Sequence, residues 1–75
     1  MKTIVLNPTA AKALDRIVEP FRSQISAALN DYALGKPGDT KAMQGTSTVR
    51  LRIGNYRAIF DETPTTITVL ALGDR

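Results

Sequence analysis

Apolar and polar residues alternate from Val49 to Ile53 and resume the alternation at Tyr56, on either side of Gly54-Asn55. A period of two is the signature of a half-buried strand, and Gly-Asn is a favoured loop for a two-residue hairpin. Taking Gly54 and Asn55 as the loop sets a register in which Ile53 faces Tyr56, Arg52 faces Arg57, Leu51 faces Ala58, Arg50 faces Ile59 and Val49 faces Phe60. Successive side chains on a strand point to opposite faces. One face of the predicted hairpin is therefore a core wall of Val49, Leu51, Ile53, Tyr56, Ala58 and Phe60, and the other carries Arg50, Arg52 and Arg57.

The remaining pattern fits around this hairpin. Lys2 to Leu6 is a short β-branched run, a predicted first strand, closed by Asn7-Pro8. Asn is a good helix N-cap and Pro suits the first helical position. Ala10, Ala13, Leu14 and Ile17 then follow amphipathic helical spacing, with Lys12, Asp15, Arg16 and Glu19 off the stripe. Pro20 interrupts, and a second helix is predicted from there with a stripe of Phe21, Ile25, Ala28, Leu29 and Tyr32, stopped by Gly35. So short a break predicts a helical hairpin. Lys36 to Gly45 is rich in Gly and Pro and is expected to be a loop, with Met43 tucked beneath the sheet. After the hairpin, residues 62–65 form a turn and Thr66 to Leu72 a final strand. Pairing Asp61 with Thr66 would put Ile67, Val69 and Ala71 on the core face, and Thr68 and Leu70 on the arginine face.

The predicted order is β-α-α-β-β-β, an α+β domain of two layers with an antiparallel sheet and the N-terminal helical hairpin on its apolar face. The first strand is expected beside the one carrying Arg50 and Arg52. No element of the chain is left to cover the arginine face.

Composition narrows the chemistry. The chain has 75 residues, one domain spanning 1–75, with ordinary apolar and charged fractions. It has no cysteine and no histidine. The first excludes disulfides and thiolate chemistry, and the second removes the commonest general base and metal ligand. No metal or cofactor is expected. The net charge of +3 favours a polyanionic or acidic partner. No apolar run approaches the length of a membrane span or a signal peptide, so no membrane contact and a cytoplasmic location are expected.

Like charges opposite one another destabilise a sheet, so an arginine pair at 52 and 57 points to an anion held between strands. A plain solvated face is the other reading. Tyr56 is expected in the core, and Tyr32 to pack with its hydroxyl at the rim. Asp61 and Glu62 are expected to be strand-end charges and not a catalytic pair, because neighbouring residues on a strand face opposite ways.

The order strand, helical hairpin, Lys/Gly loop, then the phrase from Val49 to Phe60 and the closing Leu-Ala-Leu-Gly-Asp-Arg of residues 70–75, resembles the RelE/ParE superfamily, the toxin halves of type II toxin–antitoxin pairs. The resemblance covers essentially the whole chain. It implies a cytoplasmic toxin restrained by a cognate antitoxin. In the RelE-like branch the implied activity is cleavage of messenger RNA on the ribosome, by attack of a 2′-hydroxyl on the adjacent phosphate without a metal. The residues that match the family's catalytic positions are Arg57, Arg50 and Arg75, with Arg52, Lys41 and Lys36 as RNA-binding positions. A guanidinium presents a planar fork of donors matched to phosphate oxygens, which gives each arginine a physical reason to be there.

The chain also departs from the family. Members usually continue past Gly-x-Arg into a basic tail bearing a tyrosine, whereas this sequence stops at Arg75, and a weakened activity is the expectation that follows. Two residues before Arg50, where active nucleases often have a lysine that could act as a base, stands Thr48. Three functions stay open at this point: a ribosome-dependent endoribonuclease, a ParE-like inhibitor of DNA gyrase, and a catalytically inactive protein that binds an antitoxin.

Overall fold

The structure is a computed structural model describing residues 1–42 and 45–74. Its elements are β1 (Thr3–Leu6), α1 (Pro8–Arg16), α2 (Phe21–Ala33), β2 (Asp39–Ala42), β3 (Thr48–Ile53), β4 (Tyr56–Glu62) and β5 (Thr66–Asp74). The five strands form one sheet in the order β1-β5-β4-β3-β2. The expected two-layer α+β architecture is present, with one more strand and one different neighbour than the pattern suggests.

Each helix starts as its local chemistry dictates. Asn7 caps α1, its Oδ1 accepting from the Ala10 N–H at 2.8 Å, with Pro8 at the first position. At α2 the residue next to the helix is Pro20, which offers no side-chain cap. Glu19 substitutes from one residue further out, accepting from the Ser23 N–H and the Ser23 hydroxyl, each at 2.8 Å. Those two bonds, with Arg22 nearby, hold the Glu19 carboxyl below its ordinary range.

The core lies between the helices and one face of the sheet. Ala10 comes from α1, Ile25, Leu29 and Ala33 from α2, and Leu51, Ala58, Phe60, Ile67 and Val69 from β3, β4 and β5. Burying a side chain such as Phe60 or Ile67 contributes roughly 1.5–3 kcal/mol, so these residues fix which face of each strand turns inward. Ala33 takes the buried place that Ala28 was expected to fill, and Phe21 stays 41% exposed at the start of the stripe.

The β3–β4 hairpin has the predicted register, from Val49 opposite Phe60 to Ile53 opposite Tyr56. Only Gly54 has positive φ, at +60°, while Asn55 does not. Positive φ at the first loop residue alone is the pattern of a type II′ turn.

Three expectations are corrected. First, residues 39–42 are not loop: they form β2, an exposed edge strand antiparallel to β3, with Asp39 opposite Arg52 and Lys41 opposite Arg50. The open edge of β3 supplies the partner that this polar tetrapeptide lacks by itself. The backbone comes close there, since a Cβ on Gly38 would lie 3.0 Å from Leu51 Cδ1. The expected burial of Met43 lies outside the described residues.

Second, β1 does not sit beside β3. It pairs in parallel with β5, Ile4 opposite Ile67 and Leu6 opposite Val69. The helical connection is what permits this. The 13 residues of α2 span about 20 Å, and four strand spacings span about 19 Å. The helix is long enough to carry the chain from one edge of the sheet to the other.

Third, β5 pairs two residues out of the expected register, with Asp61 opposite Thr68, and the register shifts again between Ile59 and Phe60. Phe60 faces Val69 whereas Ile59 faces Ala71, so Leu70 is an extra residue on β5. A bulge of this kind reverses which face the following residues take. Ala71 therefore stands on the arginine face and Leu72 packs on the core, the reverse of a strict alternation.

Candidate nucleic-acid interface

Two rungs of the sheet, on the face away from the helices, bring the charged residues together. One runs Asp39, Arg52, Arg57, Gly73 across β2, β3, β4 and β5. The next runs Lys41, Arg50, Ile59, Ala71. Directly opposed side chains on a sheet have Cβ atoms about 4.5–5.5 Å apart and diagonal ones about 7–8 Å, so three arginines and one lysine are near neighbours on this face. They line a groove of about 320 Å³ together with Asp39 and Thr40.

None of Lys41, Arg50, Arg52 and Arg57 forms an ion pair with a carboxylate among the described residues; the pairs that occur are Lys2–Glu62, Arg22–Glu19 and Lys36–Asp31. Arg52 lies opposite Asp39 in register without closing a salt bridge to it. Cations crowded on adjacent strands repel one another, and an anion laid across both rungs would relieve that repulsion. A guanidinium fork matches the geometry of a phosphate, as it does that of a carboxylate.

Beyond the second rung, Thr48 faces Asp61 and its hydroxyl donates to Asp61 Oδ1 at 2.7 Å. The position where the resembled nucleases carry a lysine is thus tied to a carboxylate, outside the groove. Further along, the face becomes threonine-rich and apolar, with Thr68 opposite Val5 at the β1 edge.

The remaining positions fall elsewhere. Lys36 does not line the groove: it pairs with Asp31 at 3.6 Å and borders a second hollow of about 430 Å³ with Lys2, Tyr32 and Glu62. Arg75 lies outside the described residues. The sequence does not single out Asp39, because residues 36–45 look like a loop and β2 has no apolar face to signal a strand.

Both tyrosines are on the helix side. Tyr56 packs on Phe21 with ring centroids 5.7 Å apart. Tyr32 packs on Phe60 at 5.2 Å, and its hydroxyl donates to Glu62 Oε1 at 2.8 Å, while Lys2 Nζ holds Glu62 Oε2. Glu62 is accordingly more than a strand-end charge, since it ties the chain before β1 to α2 and β4. Its bond from Lys2 holds the Glu62 carboxyl below its ordinary value, helped by Tyr32. Burial, with the hydrogen bond to Glu62, pushes Tyr32 up to about 12.

Among the described residues no group of three or more His, Cys, Asp or Glu could hold a metal ion, and no helix is long and apolar enough to cross a membrane.

No protein-family model and no curated protein sequence matches the chain. Solved structures do. A chain of the RelE–RelB complex from Pyrococcus horikoshii OT3 superposes with a TM-score of 0.82 at 21% identity, covering 99% of this chain and 94% of that one. The RelB–RelE antitoxin–toxin complex from Methanococcus jannaschii gives 0.78 at 24% identity, covering 95% and 89%. The intact E. coli RelBE toxin–antitoxin complex gives 0.82 at 15% identity, covering 100% and 98%. At these identities the likeness shows the fold, which is RelE-like.

Proposed function

We propose that this chain is the toxin of a type II toxin–antitoxin pair and that it cleaves messenger RNA on the ribosome, in the cytoplasm. The observation that carries this reading is the groove: Lys41, Arg50, Arg52 and Arg57 gathered without carboxylate partners on the uncovered face of a RelE-like sheet. Its similarity to chains of RelB–RelE complexes supports a cognate antitoxin as the restraining partner.

In this reading the RNA backbone crosses both rungs. Arg50 and Arg57 grip the scissile phosphate, and Arg52 and Lys41 hold its neighbours. The 2′-hydroxyl attacks the adjacent phosphorus, and negative charge grows on the phosphoryl oxygens as the pentacoordinate state forms. Fixed cations aimed at that charge stabilise the transition state more than the ground state, which is where electrostatic catalysis resides. The products are a 2′,3′-cyclic phosphate and a 5′-hydroxyl. Lys36, 3.6 Å from Asp31 and outside the groove, would meet RNA only beyond this central stretch. Arg75 would add a further cation.

The test is cell-free translation with the native chain, mapping breaks in the message by primer extension. Codon-phased cuts that fall about 10²–10³-fold in Arg57→Ala are expected. Intact message and normal translation with the native chain would eliminate the nuclease. DNA-damage signalling on expression would then point to gyrase, and antitoxin binding without any phenotype to a binding-only protein.

A further inference from the structure

Attack by a ribose hydroxyl needs somewhere for its proton to go. In this chain the usual acceptors are missing: there is no histidine, Thr48 is committed to Asp61, and both tyrosines lie on the helix side of the sheet, Tyr32 bound to Glu62 and Tyr56 packed on Phe21. The cations of the groove are donors. The groove nevertheless contains one carboxylate, Asp39, on the rung of Arg52 and Arg57 and next but one to Lys41 on the same strand. Its side chain makes no hydrogen bond or ion pair among the described residues, not even with Arg52 opposite.

A carboxylate in a phosphate-binding groove costs affinity, because it repels the backbone that the neighbouring arginines attract. It is neither buried nor used to neutralise an arginine, so its presence calls for a donor on the ligand. On a strand of RNA the donor beside every phosphate is the 2′-hydroxyl.

Resting on the nuclease reading above, we infer that Asp39 is the general base of this groove. The 2′-hydroxyl proton passes to an Asp39 Oδ as the O2′–P bond forms. The P–O5′ bond breaks, the 5′-oxygen takes a proton from water, and Asp39 returns its proton to solvent. Nothing is oxidised or reduced. Arg57, on the rung of Asp39, grips the scissile phosphate, and the 2′-hydroxyl beside that phosphate is the donor within reach of the carboxylate. Asp61 is not an equivalent choice, since it lies outside the groove and already accepts from Thr48. The same placement makes the site select RNA over DNA at the cut position, because a deoxyribose offers Asp39 repulsion from phosphate with no donor to offset it.

The experiment compares the native chain with Asp39→Asn, Asp39→Glu and Arg57→Ala on translating ribosomes, reading cleavage by primer extension and complex formation by co-sedimentation. Asp39→Asn should lose about 10²–10⁴-fold in cleavage rate while binding at least as tightly as the native chain, since a negative charge has left the groove. Asp39→Glu should recover at least tenfold over Asp39→Asn. Should Asp39→Asn fail to fold, Asp39→Ser is read in its place. Native-like cleavage with Asp39→Asn, or weaker binding in proportion to the lost rate, overturns the assignment and leaves the nuclease standing. A native chain that cuts nothing removes the nuclease reading itself, and this assignment with it.

Discussion

Glu62 shows how one side chain can set the pH limits of a small fold. Its carboxyl is held below the ordinary value of 4.5 by Lys2 and Tyr32, so the folded state keeps the charged form longer than the unfolded chain does. That stabilisation is present above about 4.5 and is lost as the pH falls through the lower, folded value. Tyr32 works in the other direction. Its hydroxyl is pushed from 10.0 to about 12, so its contribution is complete below 10 and disappears between 10 and 12. Urea titrations across the pH range should show both falls. In Glu62→Gln the acid fall should shrink. In Tyr32→Phe the alkaline fall should shrink, with a loss of about 0.5–1.5 kcal/mol at neutral pH from the broken hydrogen bond.

At the scale of the elements, α1 hangs on a single cap. Replacing Asn7 with Ala removes the acceptor for the Ala10 N–H and should cost about 1 kcal/mol, read as a lower urea midpoint with an unchanged slope. That cap was legible in the sequence, as were both helices and the β3–β4 hairpin. Each is decided by local signals: a capping dipeptide, a 3.6-residue stripe, a two-residue loop. What could not be read depends on pairing between strands and not on the strand's own pattern. β2 has four exposed residues and no apolar face, so only the open edge of β3 makes it a strand. β5 has a run of apolar residues on both parities, and nothing in Val69-Leu70-Ala71-Leu72 says where the extra residue falls. The groove was half visible for the same reason. Its arginines lie on the locally legible hairpin, whereas Asp39 and the strand placement of Lys41 arrive with the pairing of β2 to β3.

For the molecule as a whole, the sheet separates stability from chemistry. One face is buried against the helices, and among the described residues no element covers the other. Phe60→Ala, which empties the centre of the core, should cost about 3–5 kcal/mol. That is enough to unfold much of a 75-residue domain, and thermal melting will show it. Groove variants should leave melting nearly untouched and act on binding. On the proposed nuclease reading, affinity for single-stranded RNA should fall with salt at a slope of about −0.7 per phosphate neutralised. Arg52→Ala should make that slope shallower by roughly 0.7 while weakening unlike sequences equally, as equilibrium titrations at several salt concentrations would report.

The parallel pairing of β1 with β5 has a consequence for how such a protein is made. β5 lies between β1 and β4 in the sheet, so neither edge of the central gap can close until residues 66–74 have been synthesised. A nascent chain that has emerged only through β4 has its arginine hairpin but no seat for β1 and no complete floor for the core. Pairing of such long sequence separation is also slow, because loop-closure entropy comes before the contacts that offset it. A chain ending at Glu62 should accordingly lack the cooperative melt of the whole. The fold that presents the groove therefore cannot form while β5 is still being made.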